Sequence, residues 1–244
     1  WYNVTRPMVE LYLCKDGLPF DKSPLAENPE IGPLSIFKNK DPRMNASIFK
    51  EGDPFNNPDV YPSIPSGANK SGFSSRKHYI PNDWQRSSSY VDISMIRYAE
   101  VLLIYAEAKF ELNGSISDAD LDISINLLRD RVGMPHLTNA FVASNGLDMR
   151  TEIRRERGVE LAGEGFRYND INRWKIAEDV LPKEMVGATY FPQYGSGWPI
   201  SSQGYLLIQT AGTRHFDPNK DYLYPVPTRE ISLSGGAVTQ NPGW

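Results

Sequence analysis

Within the segment RTEIRRERGVELAGEGFRYNDINRWK, Glu156, Glu160 and Glu164 recur four residues apart. On a helix this spacing stacks three carboxylates on one face, one turn between neighbours. Such carboxylates can hold a metal ion or move protons. A di-metal carboxylate site also wants a partnering Glu-x-x-His. The histidines are His78, His136 and His215, and none stands at that spacing. A glycosidase pair stays open, with a loop supplying the second acid. The competing reading is structural. Arg157 and Glu160, Arg167 and Asp170, and Asp170 and Arg173 are three apart, where side chains meet on a helix surface. Arginine's rigid fork of donors suits it to tying carboxylates and helix-end carbonyls between helices. Ile153, Leu161, Phe166, Ile171 and Trp174 supply apolar contact beneath, with Trp174 in the core. A phosphate clamp is disfavoured because almost every arginine already has an acidic neighbour. The segment reads as wiring between helices, with no catalytic residue and no metal ligand assigned.

Other chemical signatures are weaker. DADLD (Asp118–Asp122) imitates the start of a calcium loop, but Ile123 replaces the turn glycine and Arg129 the bidentate glutamate. It reads better as a helix start, where carboxylates suit the dipole. The single cysteine, Cys14, excludes an internal disulfide and a CxxC metal pair, and its context VELYLC predicts a buried thiol. P-loop, GxSxG and HExxH patterns are missing from the sequence. No cofactor is expected. A net charge of −4 over 244 residues argues against nucleic acid, whose binding needs clustered Lys/Arg. No run of about 18 apolar residues is long enough to span a bilayer.

The elements that must position these groups alternate in texture. Residues 1–90 are rich in loops: from residue 14 onward Pro, Gly, Ser and Asn recur every few residues, which forbids long helices. A short helix is expected at Arg6–Tyr12. Residues 91–181 form a helical core. Ile96, Ala99, Leu103, Ala106 and Phe110 step by three and four along one face, thickened by Leu102, Tyr105 and Leu112, and Asn113-Gly114 ends that helix. Ser117 caps a second helix carrying Leu121, Ile125, Leu128 and Val132, which stops at Gly133 and Pro135. Two helices joined by a short turn lie antiparallel and match the size of a helical-repeat unit. A second pair is expected over Asp148–Ala162 and Phe166–Ala177. Residues 182–244 return to loops. The fold class is all-α: tetratricopeptide-like helical hairpins with long irregular loops and at most short β-hairpins.

Five ordered segments carry a family resemblance: RPMVELYLCKDGLPFD, KDPRMNASIFKEGDPF, MIRYAEVLLIYAEAKFELNG with INLLRDRVGMP, ERGVELAGEGFRYNDINRW, and YLYPVPTREISLSGGAVTQNPGW. Together they resemble the SusD/RagB-like family of bacterial surface glycan-binding lipoproteins. The resemblance implies that residues 1–244 are the C-terminal part of a single SusD-like domain. The N-terminal half and its lipid anchor would lie upstream, so Cys14 is not the anchor. It further implies a non-catalytic protein on the extracellular face of the outer membrane, held there through that lipid. The implied partner is a SusC/RagA-like TonB-dependent transporter, and the implied ligand an oligosaccharide or polysaccharide. The alternative is a peptide-binding or mainly protein-interacting subunit of the same type of complex.

A sugar ring packs its C–H face on an aromatic plane while its hydroxyls seek directional partners. Trp84, beside Asn82, Asp83, Gln85 and Arg86, offers both. So do Tyr190, Tyr194 and Trp198 in TYFPQYGSGW, with Gln193 and Ser196 between them. Trp1 and Tyr2 precede the first family-like segment, near where the resemblance places ligand-facing aromatics. These six residues are the candidate ligand-binding set. Each ring could equally anchor its own loop.

Overall fold

The computed structural model describes residues 3–55, 59–62, 65–66, 69–80, 92 and 94–244. Helices dominate, as expected of the fold class. In the loop-rich region α1 (Arg6–Leu11) and α2 (Pro42–Ser47) each carry proline in the first turn, where a missing N–H is tolerated. Asp41 caps α2 by accepting from the Arg43 amide. Helix α3 (Tyr98–Asn113) ends at Gly114, whose φ of 68° is the left-handed cap foreseen there.

Ala99, Leu102, Leu103, Ala106 and Phe110 bury one face of α3. Two expectations fail. Ile96 precedes the helix and is 74% exposed, because Arg97 is extended at the cap position; Leu112 is 81% exposed, on the side facing away from the core.

Ser117 accepts from the Asp120 amide and opens α4 (Asp118–Asp122), so the calcium-like run is a helix start. Asp120, one methylene shorter than glutamate, reaches the Ser117 hydroxyl at 2.7 Å. The single helix expected from Ser117 to Val132 is broken, with α5 (Ile125–Val132) beginning after a non-helical Ser124. The Ser124 hydroxyl donates to the Asp120 carbonyl at 2.5 Å, a local bond that competes with the helical ladder. Leu121, Ile125 and Leu128 are nevertheless buried as one stripe. Helix α6 (Asn139–Ser144), capped by Thr138, is too short for periodicity to reveal.

Asp148 caps α7 (Met149–Glu160) through the Thr151 amide. Where one helix is expected over Phe166–Ala177, the chain forms α8 (Arg167–Arg173) and α9 (Ala177–Val180), interrupted by Lys175 at a φ of 55°. Helix α10 (Thr228–Leu233) follows near the end. Strands are few: β1 (Ile48–Phe49) pairs antiparallel with β2 (Ser74–Ser75), and β3 (Met185–Thr189) pairs with β4 (Tyr205–Gln209).

The chain divides into two compact units, one joining Trp1–Glu164 with Val186–Ile208 and the other Gly165–Met185 with Gln209–Trp244. In the first, α7 packs against α3, α1 and α2, over a core of Val9, Tyr12, Ile36, Met44, Ile48, Phe73 and Val159. Among its described loop residues, Phe49 stacks on Tyr61 at 4.7 Å, and Phe55 on Tyr79 at 5.3 Å. Cys14 is free and buried, as its context predicts. In the second unit, Ile171, Ala177 and Phe216 form a small core. Trp174 is 9% exposed, with the Arg173 guanidinium 4.8 Å from its ring. Among the described residues, no helix is long and apolar enough to cross a membrane.

Candidate functional site

Helix α7 places Glu152, Glu156 and Glu160 along a buried face; Glu164, expected on that same face, instead lies beyond the helix end, past Gly163 at a φ of 75°. The Glu156, Glu160 and Glu164 carboxylates form ion pairs with arginine and lysine side chains. Arg43 of α2 reaches Glu156 at 2.5 Å and Glu160 at 3.0 Å while also holding Asp41 at 2.6 Å. Arg129 of α5 binds the second oxygen of Glu156 at 2.9 Å. Arg131 and Arg97 meet Glu160 at 2.7 and 3.1 Å. Arg97 and Lys77 both hold Glu164. The array therefore joins α2, α5, α7 and the start of α3.

Of the local pairs expected, the Asp170 charge acts on Arg167. Asp170–Arg173 does form, at 2.8 Å. The dominant pairs are long-range, with Arg43 lying 113 and 117 positions from its two glutamates.

Electrostatics follows the packing. Burial pushes the Glu156 carboxyl up, but Arg129 and Arg43 outweigh it and hold the group below the ordinary carboxylate range. Glu164 is likewise raised by burial, then depressed further by bonds from Arg97 and Lys77. Glu152 goes the other way: burial raises it, and Arg155 at 3.1 Å only partly offsets that. Glutamates with their oxygens committed to arginines are poor metal ligands, and no group of three or more His, Cys, Asp or Glu among the described residues could hold a metal.

The described aromatic candidates belong to a different segment of the chain. Tyr190, Tyr194 and Trp198 sit on the loop 190–204 between β3 and β4, all half-buried. Tyr190 and Tyr194 meet edge to face at 6.3 Å, and Phe191 meets Tyr194 at 5.7 Å. The Tyr190 hydroxyl donates to the Gly195 carbonyl and Trp198 Nε1 to the Tyr194 carbonyl, both at 3.1 Å. The single donor of each of these two rings is therefore used inside the loop. Burial, with the Glu51 and Glu27 charges, pushes the Tyr194 phenol up to about 12. Tyr194 borders a shallow depression shared with Phe37, Lys50, Glu51, Phe73 and Ala188. Trp1, Tyr2 and Trp84 lie outside the described residues.

The ribbon carrying this loop is docked by a close backbone approach. The Ala188 amide donates to the Ser71 carbonyl at 2.7 Å, and a Cβ on Gly187 would fall 2.0 Å from that same oxygen. Only glycine fits there. Neither Gly187 nor the arginines from distant segments carry a local sequence signal for these contacts. The quoted segments KDPRMNAS and INLLRDRV contain Arg43, Arg129 and Arg131, but spacing says nothing about which distant carboxylate an arginine meets.

Fold and site together describe a loop-rich helical-repeat protein with an internal charge network and an aromatic loop. The chain belongs to the SusD family, whose SusD/RagB model matches residues 1–244. A SusD-like protein P2 of Formosa agariphila is 33% identical over 171 residues, covering 67% of this chain and 27% of its own length. A SusD-like carbohydrate binding protein of Bacteroides fragilis is 31% identical with a TM-score of 0.72, over 94% of this chain and 47% of its own. Another SusD-like protein of that organism, 24% identical with a TM-score of 0.69 over 99% and 47%, supports the fold alone. The chain thus spans less than half the length of these relatives.

Proposed function

We propose that this chain is part of a non-catalytic cell-surface protein that binds oligosaccharide or polysaccharide and delivers it to a TonB-dependent outer-membrane transporter. Family membership supports the class of ligand, since one solved relative is a SusD-like carbohydrate binding protein. The observation that carries the reading is the pairing of internally satisfied donors with half-exposed rings at Tyr190 and Trp198. Such rings can take a sugar's C–H face without leaving a donor unpaired. We assign ligand contact to Tyr190, Tyr194 and Trp198, with Trp1, Tyr2 and Trp84 as further contacts. Lipid anchorage through a segment outside these residues belongs to the same reading.

Affinity electrophoresis of the full-length protein through gels holding soluble starch, mannan or mucin glycans tests it. Retardation by one polymer that falls about tenfold in Trp198→Ala, the scale of roughly 1.4 kcal/mol, is the expected result. Silence across the panel would reject the glycan ligand and favour peptide cargo.

A further inference from the structure

The loop 190–204 springs from two roots, Thr189 at the end of β3 and Tyr205 at the start of β4. Both touch one side chain, Arg6 of α1. Its Nη1 donates to Thr189 Oγ1 at 3.1 Å, and its guanidinium carbon lies 3.8 Å from the centre of the Tyr205 ring. Nη2 donates to Glu27 Oε2 at 2.6 Å and Nε to Glu10 Oε1 at 2.7 Å. Thr189 Oγ1 then donates to Glu27 Oε1 at 2.9 Å, which closes a triangle of Arg6, Glu27 and Thr189. Phe20 flanks the guanidinium at 5.3 Å. Arg6 is only 2% exposed, so water does not loosen these bonds. A planar fork can hold a hydroxyl, a carboxylate and a ring face in fixed directions at once, and an ammonium cannot.

We propose that Arg6 is a positioning residue for the aromatic loop. It clamps both roots, so that Tyr190, Tyr194 and Trp198 are presented in one arrangement. A loop ordered beforehand loses little freedom when a ligand arrives, and that saving appears as affinity. The role in binding rests on the glycan reading above; the clamp itself does not.

Hydrogen exchange read by mass spectrometry tests the clamp in wild type, Arg6→Met, Arg6→Lys and Thr189→Val. Peptides within 190–204 are expected to exchange at least tenfold faster in Arg6→Met and Thr189→Val, with peptides from 98–113 and 149–160 unchanged. Arg6→Lys should fall between, keeping the charge beside Glu27 but losing the fork. Should Arg6→Met fail to fold, Thr189→Val decides, because it strands no buried charge. Unchanged exchange in 190–204, or equal acceleration in every helix, overturns the clamp. The second arm is retardation in the starch, mannan and mucin gels. Several-fold weaker binding in Thr189→Val, with every ring intact, supports positioning, and unchanged binding beside faster exchange overturns it. A wild type that binds none of the three, with the exchange result as expected, upholds the clamp and rejects the glycan reading.

Discussion

Arg43 serves Asp41, Glu156 and Glu160 with one guanidinium, and all four residues are buried. Removing Arg43 takes the cation from buried Asp41 and one of several from Glu156 and Glu160, and breaking a buried arrangement of this kind costs about 3–5 kcal/mol. Arg43→Met is therefore expected to lower the unfolding free energy by about that amount, read from the urea midpoint. A change under about 1 kcal/mol would mean that water, not arginine, satisfies those oxygens. The glutamate half of this network was legible, because a four-residue spacing states which side chains share a helical face. The arginine half was not. Arg43, Arg97, Arg129 and Arg131 come from other elements, and only tertiary packing brings them to Glu156 and Glu160.

Helix ends marked by a glycine stop or by a capping side chain were readable in the sequence, as Gly114 after α3, Gly133 after α5 and Asp148 before α7 show. Elements decided by a single local competition were not. Ser124 divides α4 from α5 through one hydroxyl bond, and Lys175 separates α8 from α9 by its backbone alone. The β3–β4 ribbon was anticipated only as a possible short hairpin, since its docking rests on one glycine. Gly187→Ala is expected to push the ribbon off the Ser71 carbonyl, because a Cβ at 2.0 Å from that oxygen cannot coexist with it. The cost is about 1–3 kcal/mol, the range of overpacked sites, with faster amide exchange confined to residues 185–209. Normal exchange there would show that the backbone approach is looser than the structure has it.

At the scale of the molecule, the network makes stability depend on acid. Glu156 and Glu164 are depressed in the folded state, so their contribution is complete above the unfolded carboxylate value of about 4.3 and fades as pH falls through the folded values. Glu152 is raised, so its contribution has the opposite sign: present below the unfolded value and lost as pH rises through the folded one. The melting temperature should fall steeply below about pH 4.3. Glu156→Gln should start lower at neutral pH and lose part of that slope, whereas Glu152→Gln should cost little or nothing at pH 7. The most direct test of the whole account is Glu160→Gln in the full-length protein, followed by thermal unfolding and by reducing-sugar release from soluble starch, mannan and mucin glycans. A scaffolding Glu160 predicts a melting temperature lower by about 5 °C or more and no sugar release by either protein. An unchanged melting temperature, with wild-type sugar release that vanishes in the variant, would contradict it.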